Sequence, residues 1–339
     1  MADKVELVND QKIFTTQEGE SILAAALRQG IVIPHNCRNG FCGSCMGKLH
    51  SGKVEYAGDR PRGLSEMQEK EGYVLCCSAM TSGDVKLDVE TIDAVADIEI
   101  KTLPCRVSRL EKLADDVMLL EIKLPPHERF EFRAGQYIDF LLRDNRRRSF
   151  SMANSPSIDD RIELHIREVA DGQFTGQVFH EMKEKDMLRI QGPFGTFILR
   201  DTPGRPSVLV AGGTGIAPIK SMLEKIRESG CDRDLHLYWG VRTRNDLYID
   251  STLRQYAEEI DCLSYTPVLS GPGIDADWSG ATGWVHEAVM SDFSDLSGMD
   301  VYASGPPQLI DAIKLSYPGI GLEPGHFYFD SFEYASDGP

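Results

Sequence analysis

Three cysteines stand close together at Cys37, Cys42 and Cys45, spaced C-x4-C-x2-C in the run CRNGFCGSC, and two more follow at Cys76 and Cys77. Thiolates are soft ligands. Three from one loop and a fourth from far along the chain is the pattern of a [2Fe–2S] cluster, whereas structural zinc sites pair two short C-x2-4-C knuckles. Such a cluster would make the chain a one-electron carrier. Gly40, Gly43 and Ser44 let the backbone wrap closely where a larger side chain would clash. Backbone N–H groups can then face the cluster sulfurs and set its potential. The spacing leaves both Cys76 and Cys77 open as the fourth ligand.

A second set of residues suits phosphate chemistry. Gly212-Gly213-Thr214-Gly215-Ile216-Ala217-Pro218 follows the apolar run Ser207–Ala211 and opens a helical stretch that reaches about Ser229. Glycines between a strand and a helix let a dinucleotide pyrophosphate approach the positive end of that helix. Arg146-Arg147-Arg148 precedes Ser149-Phe150-Ser151, and a guanidinium fork there would suit a pyrophosphate. Gly172-Gln173-Phe174-Thr175 reads as a turn into a helix, another place where phosphate is bound. Arg242 and Arg244 follow the strand Tyr238–Gly240, where a ribose 2′-phosphate would be read.

These sites need three kinds of scaffold. In residues 1–95, Lys4–Phe14 alternates as two strands and Glu20–Gln29 reads as a helix, with Ser21 near its start and Gly30 as its stop. Met46–His50 and Lys53–Tyr56 flank Ser51-Gly52 as a hairpin, and Asp84–Val89 alternates as a last strand. The polar stretch Asp93–Lys101 reads as a linker. Residues 101–203 hold short strands at Cys105–Leu110, Val117–Leu124, Tyr137–Leu142 and Arg161–Val169, which suggests a small antiparallel barrel. Residues 204–332 alternate strands with helices, as in a doubly wound α/β domain.

The chain has 339 residues and a formal charge of −17, which argues against nucleic acid or an anionic membrane as partner. No run of 18 apolar residues occurs and Met1–Asp10 is mixed polar, so a cytoplasmic protein with thiol rather than disulfide cysteines is expected. Cys105, Cys231 and Cys262 read as scattered structural cysteines. His35, beside the cysteine loop, reads as a surface or packing histidine rather than a catalyst.

Together these motifs resemble an NAD(P)H-dependent [2Fe–2S]/FAD reductase of the oxygenase-reductase type, within the ferredoxin–NADP reductase superfamily. Lys101–Cys105, Ala134–Asp139, Tyr238–Gly240 and Gly280–His286 resemble the CDP-6-deoxy-3,4-glucoseen reductase branch, and Ser21–Gly30 resembles phenol hydroxylase reductases. The resemblance implies a β-grasp plant-type ferredoxin domain, an antiparallel β-barrel FAD domain and a doubly wound α/β NAD(P) domain. It implies Cys37, Cys42, Cys45 and Cys77 as cluster ligands, with Cys76 a buried filler. It places Arg148, Ser149, Phe150, Ser151, Gly172, Phe174, Thr175 and Phe332 at the flavin, with Phe150 where the family more often has Tyr. It places Gly212, Gly213, Thr214, Gly215, Pro218, Arg242, Gly305 and Pro306 at the nicotinamide dinucleotide. Ser151 beside the flavin N5, and Ser304 where the family has Cys beside the nicotinamide, are the candidate catalytic residues. Gly192-Pro193-Phe194-Gly195 resembles the linker into the nucleotide domain. The implied activity passes electrons from NADH, favoured over NADPH, through FAD and the cluster to a dehydratase or oxygenase that docks near the cluster loop, where Arg38 is a candidate contact. The alternatives are a free flavin reductase or redox sensor with a regulatory cluster, and a zinc-and-nucleotide binding module. The resemblance assigns no role to the tail 333–339.

Overall fold

The computed structural model describes residues 2–144, 146–271 and 277–333; most of the tail, 334–339, lies outside them. The chain forms two compact units, Met1–Glu99 and Ile100–Pro339.

In the first unit, β1 (Asp3–Leu7) and β2 (Lys12–Thr16) form an antiparallel pair followed by α1 (Ile22–Arg28). Ser21 starts α1 because its hydroxyl accepts the Ala24 N–H at 3.2 Å, satisfying a donor the first turn would otherwise strand. Next come β3 (Met46–Ser51), β4 (Val54–Glu55), the short α2 (Glu66–Lys70), β5 (Tyr73–Leu75), β6 (Met80–Thr81) and β7 (Val85–Asp88). The sheet order β2-β1-β7-β3-β5, with β1 and β7 parallel, is a β-grasp. Leu7, Ile22, Ile33, Leu75 and Leu87 fill the space between sheet and helix.

The expected hairpin at Ser51-Gly52 does not form. β3 pairs with β5 and β7, and β4 pairs instead with β6, Val54 opposite Thr81. Gly52 packs so closely on the neighbouring strand that a Cβ would stand 2.4 Å from Asp84 O. The chain leaves the sheet there rather than folding back along it. The stretch read as a linker, Asp93–Lys101, contains the division between the two units at Glu99 and Ile100; a short 3-10 turn, Asp93–Val95, begins it and Lys101, the first residue of the next strand, ends it. Ile92 and Val95 are buried, and the Ile92 N–H donates to Val32 O at 2.8 Å.

The second unit opens with β8 (Lys101–Ala114), β9 (Val117–Lys123), β10 (Tyr137–Leu141), β11 (Arg147–Ser151), β12 (Arg161–Arg167), α3 (Gln173–His180) and β13 (Met187–Phe194). The sheet runs β11-β10-β13-β8-β9-β12, every neighbour antiparallel. A bridge between Met152 and Leu164 and the Ala153 N–H to Glu163 O bond, 2.8 Å, bring its two edges together into a barrel. Gly192–Phe194 is the end of β13, so the segment expected as a linker belongs to the barrel.

A parallel sheet follows, built from β14 (Ser207–Gly212), α4 (Ile216–Ser229), β15 (Leu235–Val241), α5 (Asp250–Glu259), β16 (Leu263–Leu269), β17 (Ala281–Thr282), α6 (Val285–Asp292), β18 (Asp300–Gly305), α7 (Pro307–Ser316) and β19 (Phe327–Ser331). Its order is β17-β16-β15-β14-β18-β19. The winding reverses between β14 and β18, so a crevice opens at their carboxyl ends, where such sheets bind ligands.

Barrel and parallel sheet meet across a buried polar seam. Lys220 of α4 is 6% exposed, and its ammonium donates to Glu163 at 3.1 Å, Glu224 at 2.6 Å and Ala153 O at 3.2 Å. Glu224 also accepts the Ser155 N–H at 2.7 Å and the Tyr256 hydroxyl at 3.0 Å. His165 Nε2 donates to Glu163 at 2.9 Å while its Nδ1 faces the Tyr248 hydroxyl at 3.2 Å. Burial alone would raise the Glu163 carboxyl, but the His165 hydrogen bond and the Lys220 charge outweigh it and hold it at about 2. Burial lowers His165 and keeps it neutral.

Glu163 is therefore depressed in the folded chain from an ordinary 4.5, so its contribution is complete above about pH 5 and lost as pH falls toward 2. The Glu163→Gln variant should be less stable than wild type by about 2–3 kcal/mol at pH 7. Urea unfolding repeated between pH 7 and pH 3 should show that gap narrowing; a gap independent of pH would contradict the assignment.

Candidate cofactor sites

The loop between α1 and β3 and the turn after β5 bring four thiols together as two pairs. Cys42 N–H donates to Cys37 Sγ at 3.3 Å and the two thiols hydrogen-bond each other; Cys77 N–H donates to Cys45 Sγ at 3.4 Å and those thiols do likewise. The Cys37 thiol holds Cys42 down at about 5, and the Cys45 thiol holds Cys77 at about 7, while Cys37 and Cys45 are pushed up in return. Ser44 N–H adds a bond to Cys42 Sγ at 3.5 Å. Among the described residues no group of three or more Cys, His, Asp or Glu is set for a single ion. Two thiol pairs suit two irons, each holding one pair, better than one tetrahedral zinc.

The loop conformation requires glycine. Gly40 has φ +81°, and a Cβ there would stand 2.8 Å from Ser78 Oγ and 3.0 Å from Pro61. Cys76 points the other way: it is fully buried and pushed up to about 12 by that burial, while Cys77 shares the thiol nest. His35 is 3% exposed, bonded through Nδ1 to Ile33 O at 2.7 Å, and lowered to about 4 by burial and by the Arg38 charge, against the opposing Ile33 bond. It packs and does not titrate near neutral pH.

The flavin candidates lie on β10, β11 and α3. Ser149 donates to the fully buried Asp139 at 2.7 Å, and Arg147 reaches the same carboxylate at 3.8 Å. Arg148 is half-buried, its Nη1 donating to Arg147 O at 2.9 Å. Burial and then the Arg146 charge disfavour its cation, against the opposing Asp144 charge. Phe150 packs on Phe140 and Phe174, with ring centres 5.9 and 5.6 Å away. Phe174 is itself 2% exposed in the barrel core, so it offers a ligand its backbone rather than its ring. The Thr175 hydroxyl is engaged locally, donating to Gly172 O and accepting the Val169 N–H, each at 3.2 Å. Ser151 donates to Asp330 of β19 at 3.1 Å, tying the barrel to the far edge of the parallel sheet.

The nucleotide candidates gather at the switch crevice. Gly212 ends β14, and Gly213, Thr214, Gly215 and Pro218 form the turn and first helical residues, all buried. Gly215 lies so near β18 that a Cβ would stand 2.0 Å from Ser304 O. Ser304 is fully buried, and its hydroxyl finds no hydrogen-bond partner, an orphaned polar group beside the glycine turn. Gly305 O accepts the Phe332 N–H at 2.8 Å, and Pro306 caps α7. Arg242 is exposed after β15; Arg244 pairs with Asp277 at 3.1 Å.

Several residues here are absent from the sequence expectation. Asp330 and Asp139 are buried carboxylates whose serine partners lie 179 and 10 residues away. Arg167 lies against the glycine turn, 2.6 Å from where a Gly213 Cβ would stand, and Trp239 donates to Gly213 O at 2.8 Å. Only proximity in the fold reveals them, although charged residues inside the apolar strands β10 and β12 are a signal available in the sequence.

The chain matches the 2Fe-2S iron-sulfur cluster binding domain over residues 6–82, the oxidoreductase FAD-binding domain over 104–198 and the oxidoreductase NAD-binding domain over 209–315. It is 39% identical to CDP-6-deoxy-L-threo-D-glycero-4-hexulose-3-dehydrase reductase of Yersinia pestis, across 98% of this chain and 99% of that one. It is 32% identical to the phenol 2-monooxygenase reductase component of a Pseudomonas strain, across 100% and 96%. Its structure resembles the Amycolatopsis cytochrome P450 reductase GcoB with TM-score 0.82 at 27% identity, covering 98% and 100%.

Cys77→Ser should abolish bound iron and the broad cluster absorbance. Cys76→Ala should keep both while costing about 1 kcal/mol of stability for the lost buried sulfur. Iron analysis of the purified variants checks this, and iron loss in Cys76→Ala alone would reverse the ligand assignment.

Proposed function

The chain belongs to the family of NAD(P)H-dependent [2Fe–2S]/FAD reductases of the ferredoxin–NADP reductase superfamily, and on that premise we propose its acceptor, its coenzyme and the residues that hold each group. As an oxidoreductase it passes electrons from NAD(P)H through FAD and a [2Fe–2S] cluster to a partner enzyme. When bound, the three groups supply hydride donation, the change from two-electron to one-electron steps, and single-electron carriage.

The residues themselves bind and orient. Cys37 with Cys42 and Cys45 with Cys77 would hold the irons, and the pairing of these thiols is the observation that carries the reading. Arg148, Ser149 and the first turn of α3, from Gly172 through Thr175, hold the flavin diphosphate, with Phe150 along the flavin and Phe332 near its ring. Ser151, held by its hydrogen bond to Asp330, would offer its hydroxyl to the flavin. The Gly212–Pro218 turn and Gly305-Pro306 receive the dinucleotide, and Ser304 offers the nicotinamide its unpaired hydroxyl. NADH is the favoured coenzyme: Arg244 is already paired with Asp277, which leaves Arg242 as the ribose-side cation. The domains run 1–95, 101–203 and 204–332, and a four-thiolate site that must stay reduced before cluster insertion suits the cytoplasm. Among the described residues, no helix is long and apolar enough to cross a membrane.

The acceptor is a deoxysugar dehydratase of the kind named for the Yersinia relative, supported by 39% identity over nearly both full lengths. An aromatic-ring oxygenase is the second reading, supported by the phenol 2-monooxygenase relative. Partner docking is near the cluster loop, where residues 1–95 carry only −4 of the −17 charge.

Anaerobic titration should bleach flavin and cluster bands with NADH at lower concentration than with NADPH; the reverse order would overturn the coenzyme choice. Arg148→Ala should lower flavin affinity about 10- to 100-fold. Arg38→Glu should slow reduction of a purified dehydratase while leaving ferricyanide reduction unchanged, and equal loss in both assays would contradict docking at that loop. Rapid reduction of free flavin with no transfer to either acceptor would favour a flavin reductase.

A further inference from the structure

Two thiols remain outside the cofactor sites yet face one another. Cys231 lies in the turn after α4 and Cys262 in the turn before β16, at the amino ends of parallel strands and so at the opposite end of the sheet from the glycine turn. They are 31 residues apart and read in sequence as unrelated. In the fold both are half-buried and line one open cleft with Gly204, Pro206, Asp232, Arg233 and Asp234. The two thiols are close enough to influence each other's charge, and Cys231 donates to Arg233 O at 3.2 Å. The register holds them there: Leu235 N–H donates to Cys262 O at 2.8 Å, and β15 runs beside β16 from that point. Cys105, by contrast, is buried in the barrel core.

We propose that Cys231 and Cys262 form a reversible, peroxide-driven disulfide at the far end of the nucleotide domain. The cleft admits a small hydroperoxide, and neither residue belongs to a cofactor site. One thiolate attacks the O–O bond of hydrogen peroxide; sulfur gains oxygen as a sulfenic acid and the other oxygen leaves as water. The second thiol displaces that oxygen as a further water, closing the S–S bond, so two thiols and one peroxide give one disulfide and two waters. Burial, and then Cys231, push the Cys262 thiol up to about 11, so Cys262 is assigned the resolving role. The bond would close a loop through α5 and pin the turn after α4 to β16.

The test uses the holoprotein, treated with hydrogen peroxide at doses that leave the cluster absorbance intact, then alkylated and digested. A Cys231–Cys262 linked peptide is expected, reversed by dithiothreitol, with a melting temperature raised by roughly 5 °C. Cys262→Ser should instead give a dimedone-trapped sulfenic acid on Cys231, and both Cys262→Ser and Cys231→Ser should keep wild-type ferricyanide turnover. Complete alkylation of both thiols after peroxide, and after diamide as a second oxidant, would overturn the proposal. A linked peptide pairing either residue with a different cysteine would do the same.

Discussion

Everything in the larger unit depends on how a single buried ammonium is neutralised. Lys220 projects from the helix that the glycine turn begins and meets Glu163 of the barrel and Glu224 of its own helix. Unpaired, such a charge is costly in a low-dielectric interior; paired with two carboxylates and a carbonyl, whose own further partners are Tyr256 and His165, it is retained because its partners lie on both sides of the seam. The helix that carries the dinucleotide loop is thereby held against the barrel that carries the flavin candidates. The Ser221 hydroxyl donating to Asn154 O at 2.6 Å repeats the link one residue on. A hydrophobic seam would hold the two layers together, but it would not fix their sliding position as directional bonds do.

The same logic appears at the other edge of the crevice. Ser151 reaches Asp330 across 179 residues of sequence, so the strand that begins at the arginine motif and the last strand of the parallel sheet share one hydrogen bond. Two independent ties therefore set the crevice, one at each side. Little else there can move, since Gly215 sits against Ser304 with no room for a Cβ.

What sequence reveals here follows the range of the forces involved. Local chemistry is legible: Ser21 starting α1, the thiol spacing, the glycines of the turn after β14, and the strand–helix alternation of the nucleotide domain all act within a few residues. Pairing at a distance is not. Ser51-Gly52 has the composition of a hairpin, yet β4 finds β6 because Gly52 is pressed against Asp84. Asp93–Lys101 reads as a linker and does hold the division between the two units, but its polar composition gives no sign that Val95 is buried. The buried charges at the seam belong to strands and a helix 57 residues apart, and no local pattern joins Glu163 to Lys220.

The two-and-two arrangement of thiols has a consequence for how the site is assembled. Cys37 and Cys42 belong to one short loop and can meet before the sheet exists, whereas Cys45 finds Cys77 only once β5 has paired with β3 and carried its following turn into place. One half of the site is therefore a property of the loop and the other a property of the finished fold. A cluster held by these four thiols would need both halves, so its site is complete only in the correctly folded chain.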